Sequence, residues 1–189
     1  IHMVFPLKGF TLKWYDQMIH SSRLHRALMN SVKVGVIASI FSTFIALLAA
    51  KAFTKYKVKL RQLSYGAILL PFVIPEIIIA VSLIVLWTGM GLQLGLVPVT
   101  ISHILFCTPF CMLVLISRME GFDRNLEEAA MDLGENAWGT FWRVTFPIAL
   151  PAIVASLLLS FVISFDEFIL AFFLSSHDQT LPLYMWGQL

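Results

Sequence analysis

The chain has 189 residues, is 59% hydrophobic with a mean hydropathy of +0.85, and is only 13% charged. A water-soluble domain is nearer half apolar and a quarter charged, so this composition describes a membrane protein. A formal net charge of +2 supplies no basic field for nucleic acid, and two cysteines inside one apolar run, Cys107 and Cys111, make no disulfide framework.

Residues 1–31 read as a polar lead-in without a signal-peptide pattern, since Phe5 to Lys13 mixes Pro, Gly, Lys and aromatics. Trp14 and Tyr15 suit an aromatic belt at the membrane interface. A helix needs about 20 apolar residues to cross the hydrocarbon core. The first such stretch runs from about Val32 to Phe53. A second apolar run, Leu63 to Ser117, is too long for one span and holds a single acid, Glu76. Gly89-Met90-Gly91 and Gly95-Leu96-Val97-Pro98 divide it, predicting spans near Gly66–Thr88 and Pro98–Ser117. The last span runs from about Ile148 to Leu174 and holds Asp166 and Glu167. The expectation is an all-α integral membrane protein, one transmembrane domain over residues 1–189 with about four spans.

Basic residues in short loops set the orientation. Lys51, Lys55, Lys57, Lys59 and Arg61 place the loop after the first span in the cytoplasm. Arg118, Arg124 and Arg143 do the same for residues 118–147, while the turn at Gly91 and the tail after Ser175 carry no Lys or Arg. Both chain ends then lie outside, although Lys8, Lys13, Arg23, Arg26 and Lys33 dissent. That parity suggests that one span precedes Ile1 and another follows Leu189.

Glu120, Asp123, Glu127, Glu128, Asp132 and Glu135 make residues 118–147 a solvated segment, longer than a simple turn requires. Asn125 is placed to cap a short helix that Gly134 ends, and Pro147 and Pro151 open the last span. The segment is either a solvated loop or a helix that docks into a groove on a partner.

Its residues carry a resemblance. Glu128-Ala129-Ala130, then Gly134, then Val144-x-Phe146-Pro147 is similar to the EAA signature of binding-protein-dependent ABC-importer permeases, with Val144 for Ile and Phe146 for Leu. The resemblance implies the type I permease fold and a coupling helix that seats in a cytoplasmic ATPase. That role falls on Glu128, Ala129, Ala130 and Gly134, with Asp123 and Arg124 on the lead-in. Phe10-Thr11-x-Lys13-Trp14-Tyr15, Ser102-His103, Phe106-Cys107-x-Pro109-Phe110, Gly121-Phe122-Asp123 and Leu181-Pro182-Leu183 look like the spermidine/putrescine branch. Those permeases have six spans, which agrees with the parity of the topology. The resemblance further implies a second related permease, two ATPase subunits and a periplasmic binding protein. The chain has no GxxxxGK[ST] motif and is expected to be no enzyme, with no cofactor of its own. ATP and Mg belong to the partner ATPase.

Carboxylates inside a membrane are costly and face a cavity or a partner. Glu76 follows Pro75, with Pro71 one turn earlier, and the two prolines free backbone carbonyls that suit cations. Asp166 and Glu167 point about 100° apart on a helix and do not face one cavity together, so one of them is expected to pair with Arg or backbone or to lie near the outer interface. Three acids without an intramembrane Lys or Arg favour a cation path over isolated interhelical bonds. A polyamine is a string of ammonium groups, which carboxylates and aromatic faces such as Trp14, Trp87, Tyr184 and Trp186 suit. The family resemblance implies the same contributors: Trp14, Glu76, Asp166 and Glu167. Relatives often carry Asp where this chain has Glu76 and Glu167, so the reach of the carboxylate differs. Other cargoes in the same architecture (ferric ion, thiamine, an opine or a sugar) remain open, as does a proton-coupled secondary transporter. His103, Cys107 and Cys111 share one helical face and read as packing rather than a soft-metal site, and Phe161, Phe165, Phe168, Phe172 and Phe173 read as one aromatic face, for helix packing first and pore lining second.

Overall fold

The computed structural model describes residues 11–55, 61–123 and 125–188, without the side chains of Trp14, Lys55, residues 61–65 and Leu69. The expectations for Arg124 and for the Trp14 side chain lie outside the described residues. All regular structure among the described residues is helical, in the order α1 (Lys13–Ile19), α2 (Ser22–Lys55), α3 (Arg61–Val73), α4 (Glu76–Gly89), α5 (Leu96–Glu120), α6 (Asn125–Asp132) and α7 (Ala137–Thr140). A π turn (Phe141–Thr145) then leads into α8 (Phe146–Asp166), followed by α9 (Ile169–Leu174) and α10 (Leu181–Trp186).

Three stretches are long and apolar enough to cross a membrane: Ser22–Thr54, Leu96–Glu120 and Ala137–Asp166, with α4 as a shorter apolar helix. The second and last expected spans are therefore not continuous. In the second, Pro75 is extended (φ −55°, ψ 132°) and separates α3 from α4. A residue before proline is pushed out of the helical region, so Ile74 is where the helix stops. The last span starts earlier than Ile148 and stops earlier than Leu174. It runs on from α7 through the π turn, where the Phe146 N–H bonds the Phe141 carbonyl. That wider turn lies immediately before Pro147, which has no N–H to donate. At its other end the backbone leaves the helix at Glu167 (φ −67°, ψ 119°).

Helix α2 is longer than expected, starting at Ser22 rather than near Val32. At 1.5 Å per residue it is about 50 Å long, against a hydrocarbon core of about 30 Å, so it projects beyond the bilayer. The projecting turns are held by α10: the Leu181 N–H donates to Ser31 Oγ at 2.7 Å and Asn30 Nδ2 donates to the Gln179 carbonyl at 3.1 Å.

The core is the packing of α2 on α5 and α8, and of α5 on α8. In lipid no hydrophobic force draws helices together, so close contact and interhelical hydrogen bonds do so instead. Ala38, Ser42, Ala46 and Ala50 recur every fourth residue on α2 and are fully buried. A Cβ on Gly35 of the same helix would stand 3.1 Å from the Phe161 ring of α8. Between α5 and α8 two stripes run antiparallel. His103 Nδ1 lies 2.7 Å from Ser164 Oγ, the Cys107 thiol donates to the Ser160 carbonyl (3.7 Å), and the Cys111 thiol donates to the Ser156 carbonyl (3.6 Å). The His-Cys-Cys face is thus one half of a helix seam. Among the described residues no group of three or more His, Cys, Asp or Glu is placed to hold a metal ion.

Candidate functional site

The two breaks in the apolar helices carry the intramembrane acids. Glu76 is the first residue of α4, just after the Pro75 break, and Glu167 is the extended residue after α8. Helix α4 packs on α9, through Ala80, Leu170 and the half-buried Ile79, Leu83 and Phe173. That packing sets the first turn of α4, which holds Glu76, toward the start of α9 and Glu167, although about ninety residues of sequence separate them. Asp166 precedes Glu167 in the chain, so the two helix breaks carry all three acids.

The acidic pair divides its work, one member bonding backbone as expected, but not from two faces of one helix. Asp166 and Glu167 are not 100° apart on one helix, because the helix ends between them. Glu167 turns inward, is buried, and its Oε1 accepts the Leu170 N–H at 2.9 Å, closing the first turn of α9. Asp166 is exposed and lines a cavity of about 430 Å³ with Phe165, Phe168, Met185 and Trp186. The Phe168 and Trp186 rings stand 5.5 Å apart. A carboxylate beside aromatic faces is the environment that holds an ammonium group, since ring quadrupoles and the anion attract the same charge.

The break also splits the expected aromatic face. Phe161 and Phe165 pair on α8, while Phe168 and Phe172 pair beyond it. Phe165 and Phe168 therefore line the cavity, the second of the two roles considered for that face. Of the other aromatics considered, Trp87 packs beside Val34 and Val99, and the Tyr184 hydroxyl lies 3.5 Å from Ser21 Oγ. Trp186 is the one with a described side chain that lines the Asp166 cavity.

At the opposite end of the long helices, α6 forms a short amphipathic helix against α7 and the π turn. Its cap is Asp123, not Asn125: Asp123 Oδ1 accepts the Asn125 N–H at 3.0 Å, and Asn125 is already helical. A carboxylate suits that position because it also faces the positive end of the helix dipole. Gly134 ends the helix at φ +91°. The Glu135 N–H reaches the Ala130 carbonyl (3.1 Å) and the Gly134 N–H the Met131 carbonyl (2.9 Å), a Schellman closure that requires a left-handed residue at 134. Glu127 accepts a hydrogen bond from the Thr145 hydroxyl, Arg143 pairs with Glu135, and Arg118 Nε donates to the Ile148 carbonyl at 3.3 Å. The first two bonds fasten α6 and its exit to the π turn at the foot of α8, and the third joins α5 to α8. Glu128, Ala129 and Gly134 are left exposed, together with Leu126, Met131 and Leu133.

Residues 42–187, more than half of the chain, match the family model described as "Binding-protein-dependent transport system inner membrane component". The chain belongs to this family. It is thus a multi-pass inner-membrane permease component, a subunit that performs no catalysis of its own. Among its relatives is the "Spermidine/putrescine transport system permease protein PotC" of Escherichia coli (strain K12), 34% identical over 95% of this chain and 69% of the relative. The protein of that name in Haemophilus influenzae is 34% identical over 93% of this chain and 69% of its own length. The "Putrescine transport system permease protein PotI" of E. coli (strain K12) is 28% identical over 95% of this chain and 66% of its own. The fold resembles a chain in the "Crystal structure of a bacterial ABC transporter involved in the import of the acidic polysaccharide alginate", with a TM-score of 0.75 at 20% identity. That match covers 91% of this chain and 60% of the other, so the permease described here spans about three fifths to two thirds of these proteins.

Proposed function

We propose that this permease is the membrane subunit of an ATP-driven importer that passes polyamines, putrescine or spermidine, into the cytoplasm. The observation that carries the cargo is the placement of Glu76, Asp166 and Glu167 at two helix breaks joined by the α4–α9 packing, with Asp166 in a cavity faced with Phe165, Phe168 and Trp186. Interrupted helices in a membrane are tolerated where they line a cavity, and freed carbonyls and carboxylates there suit a cation. Asp166 and the aromatic faces take one ammonium group at the outer mouth. Glu76 and Glu167 take the charge deeper in, and Trp14 serves as a further face on the lead-in. The names of the relatives point to the same cargo.

In this reading the domain has the type I permease arrangement, with residues 1–31 on the periplasmic side and residues 118–147 as the cytoplasmic coupling segment. Helix α6 is the coupling helix: Glu128, Ala129, Ala130 and Gly134 seat in an ATPase subunit, with Asp123 and Arg124 at its entry. A second related permease, two ATPase subunits that bind ATP and Mg, and a periplasmic binding protein complete the importer. ATP-driven motion reaches the cavity as rigid-body rotation of packed helices, since α6 is tied through Thr145 to the foot of α8, which Arg118 ties in turn to α5.

The test is uptake of labelled putrescine by the reconstituted complex, in competition with spermidine and spermine. Wild type should be inhibited by at least one polyamine at micromolar levels, and Asp166→Asn and Glu76→Gln should each cut uptake by an order of magnitude. Full transport in both variants, or no competition by any polyamine, refutes the assignment.

A further inference from the structure

The basic residues that sit on the wrong side of the membrane for the usual charge rule line a cavity. Arg23 and Arg26, in the projecting turns of α2, form one wall of a space of about 280 Å³. His177 and Asp178, in the loop between α9 and α10, face them, and Tyr184 of α10 closes the side. Among the described residues neither arginine makes an ion pair. The floor is built rather than incidental: Asn30 is buried, lines the cavity, and is held by its bond to the Gln179 carbonyl. Ser31, one residue on, fixes the start of α10 through the Leu181 N–H.

Two arginine forks over a fixed polar floor are suited to a carboxylate, which they can grip with paired N–H donors. Asp178 leaves the walls with one net positive charge when His177 is neutral, which matches a single carboxylate. The cavity also shares a wall with the Asp166 site: Tyr184 faces one space, and Met185 and Trp186 of the same short helix face the other. An acid seated against Arg23 and Arg26 therefore rests on the helix that walls the cargo cavity.

We propose that this basic cavity receives an acidic side chain of the substrate-binding protein. The family is binding-protein-dependent, so such a partner exists for its members, and a group delivering cargo to the Asp166 cavity has to sit over α10. The proposal rests on the orientation given above, with the start of α2 on the outer face, but not on the identity of the cargo. It explains why positive charge is kept at Arg23 and Arg26 against the topological preference: these side chains steer and seat an acidic partner.

The test uses the complete importer in nanodiscs and its own purified binding protein, with ATPase rate read against binding-protein concentration. Arg23→Glu/Arg26→Glu should raise the half-saturating concentration about 10- to 100-fold, with the rate at saturation within about twofold of wild type. The wild-type half-saturation should rise steeply with salt and that of the variant should not. The milder Arg26→Gln should shift it about 3- to 10-fold and serves where the double reversal fails to assemble. Unchanged half-saturation in both variants overturns the proposal. So does a shift seen in phosphatidylglycerol discs and absent in phosphatidylcholine discs, which would make the cavity a lipid-headgroup site. Failure of polyamines to compete for uptake leaves this titration untouched, so the two readings fail separately.

Discussion

Ser164→Ala should destabilise the permease by more than the loss of one surface hydroxyl, because it strands a buried imidazole. His103 and Ser164 are 1% and 3% exposed, and their 2.7 Å contact is the imidazole's one polar anchor among the described residues: Nε2 has no partner. An unsatisfied buried group costs about 1–3 kcal/mol, while hydrogen bonds between membrane helices measured by double-mutant cycles average about 0.6 and reach about 1.7 kcal/mol. The two ranges overlap at about 1–1.7 kcal/mol for Ser164→Ala. His103→Leu removes the same bond along with the ring. The double variant should therefore be less destabilised than the sum of the single ones by about 0.6–1.7 kcal/mol. Reversible unfolding of the purified protein in mixed micelles measures all four corners of the cycle. A coupling energy within about 0.3 kcal/mol of zero means that the seam is held by shape alone and refutes the reasoning.

Gly134→Ala forces a side chain into φ +91° and should cost about 1–2 kcal/mol, read as faster amide exchange at Leu133–Glu135. Gly121→Ala, at φ −82°, should change exchange there little. Gly35→Leu should overpack the α2–α8 contact by about 1–3 kcal/mol, and Phe161→Ala in the same chain should recover part of that loss, both measured by unfolding in micelles. Glu167→Gln keeps an oxygen for the Leu170 N–H and should leave stability within about 0.5 kcal/mol while lowering polyamine uptake. Glu167→Ala should lose about 0.5–2 kcal/mol as well, as for other lost caps. Equal uptake by wild type and Glu167→Gln would reduce this residue to a cap.

The long apolar helices and the short helix α6 with its Gly134 stop were legible because their signals are local. Long apolar runs, the glycines around Gly91 and the spacing from Glu128 to Pro147 all act over a few turns of chain. The Pro75 break was half legible: the two prolines marked freed carbonyls, but not that the helix stops and restarts. The Glu167 break was not legible, since the run from Ile163 to Phe168 holds neither Gly nor Pro. There the helix is ended by tertiary circumstance, with the Glu167 carboxylate capping α9 while α9 packs on α4. The His103–Cys107–Cys111 stripe was plain, yet its partner stripe, Ser156–Ser160–Ser164, has the same four-residue spacing and went unread. Small polar residues in an apolar span look like dilution until a facing helix gives them partners. The early start of α2 was hidden for a related reason. Its first turns are polar and are held by α10, almost the whole chain away.

These non-local features share one consequence. A continuous pair of helices would have put Glu76 and the acidic pair on fixed faces, each buried at full cost in hydrocarbon. The breaks turn that cost into geometry. Glu167 spends its charge on a backbone N–H that the new helix end exposes, which leaves Asp166 free to face the aromatic cavity. Glu76, at the first turn of α4, is likewise stabilised by the positive end of its own helix. Glu76 and Glu167 are thus kept in the membrane by helix starts, and Asp166 by facing the cavity, with no ion pair to Lys or Arg among the described residues. A site whose charges are already neutralised by Lys or Arg would have little attraction left for a cationic cargo, whereas one balanced by helix dipoles retains it.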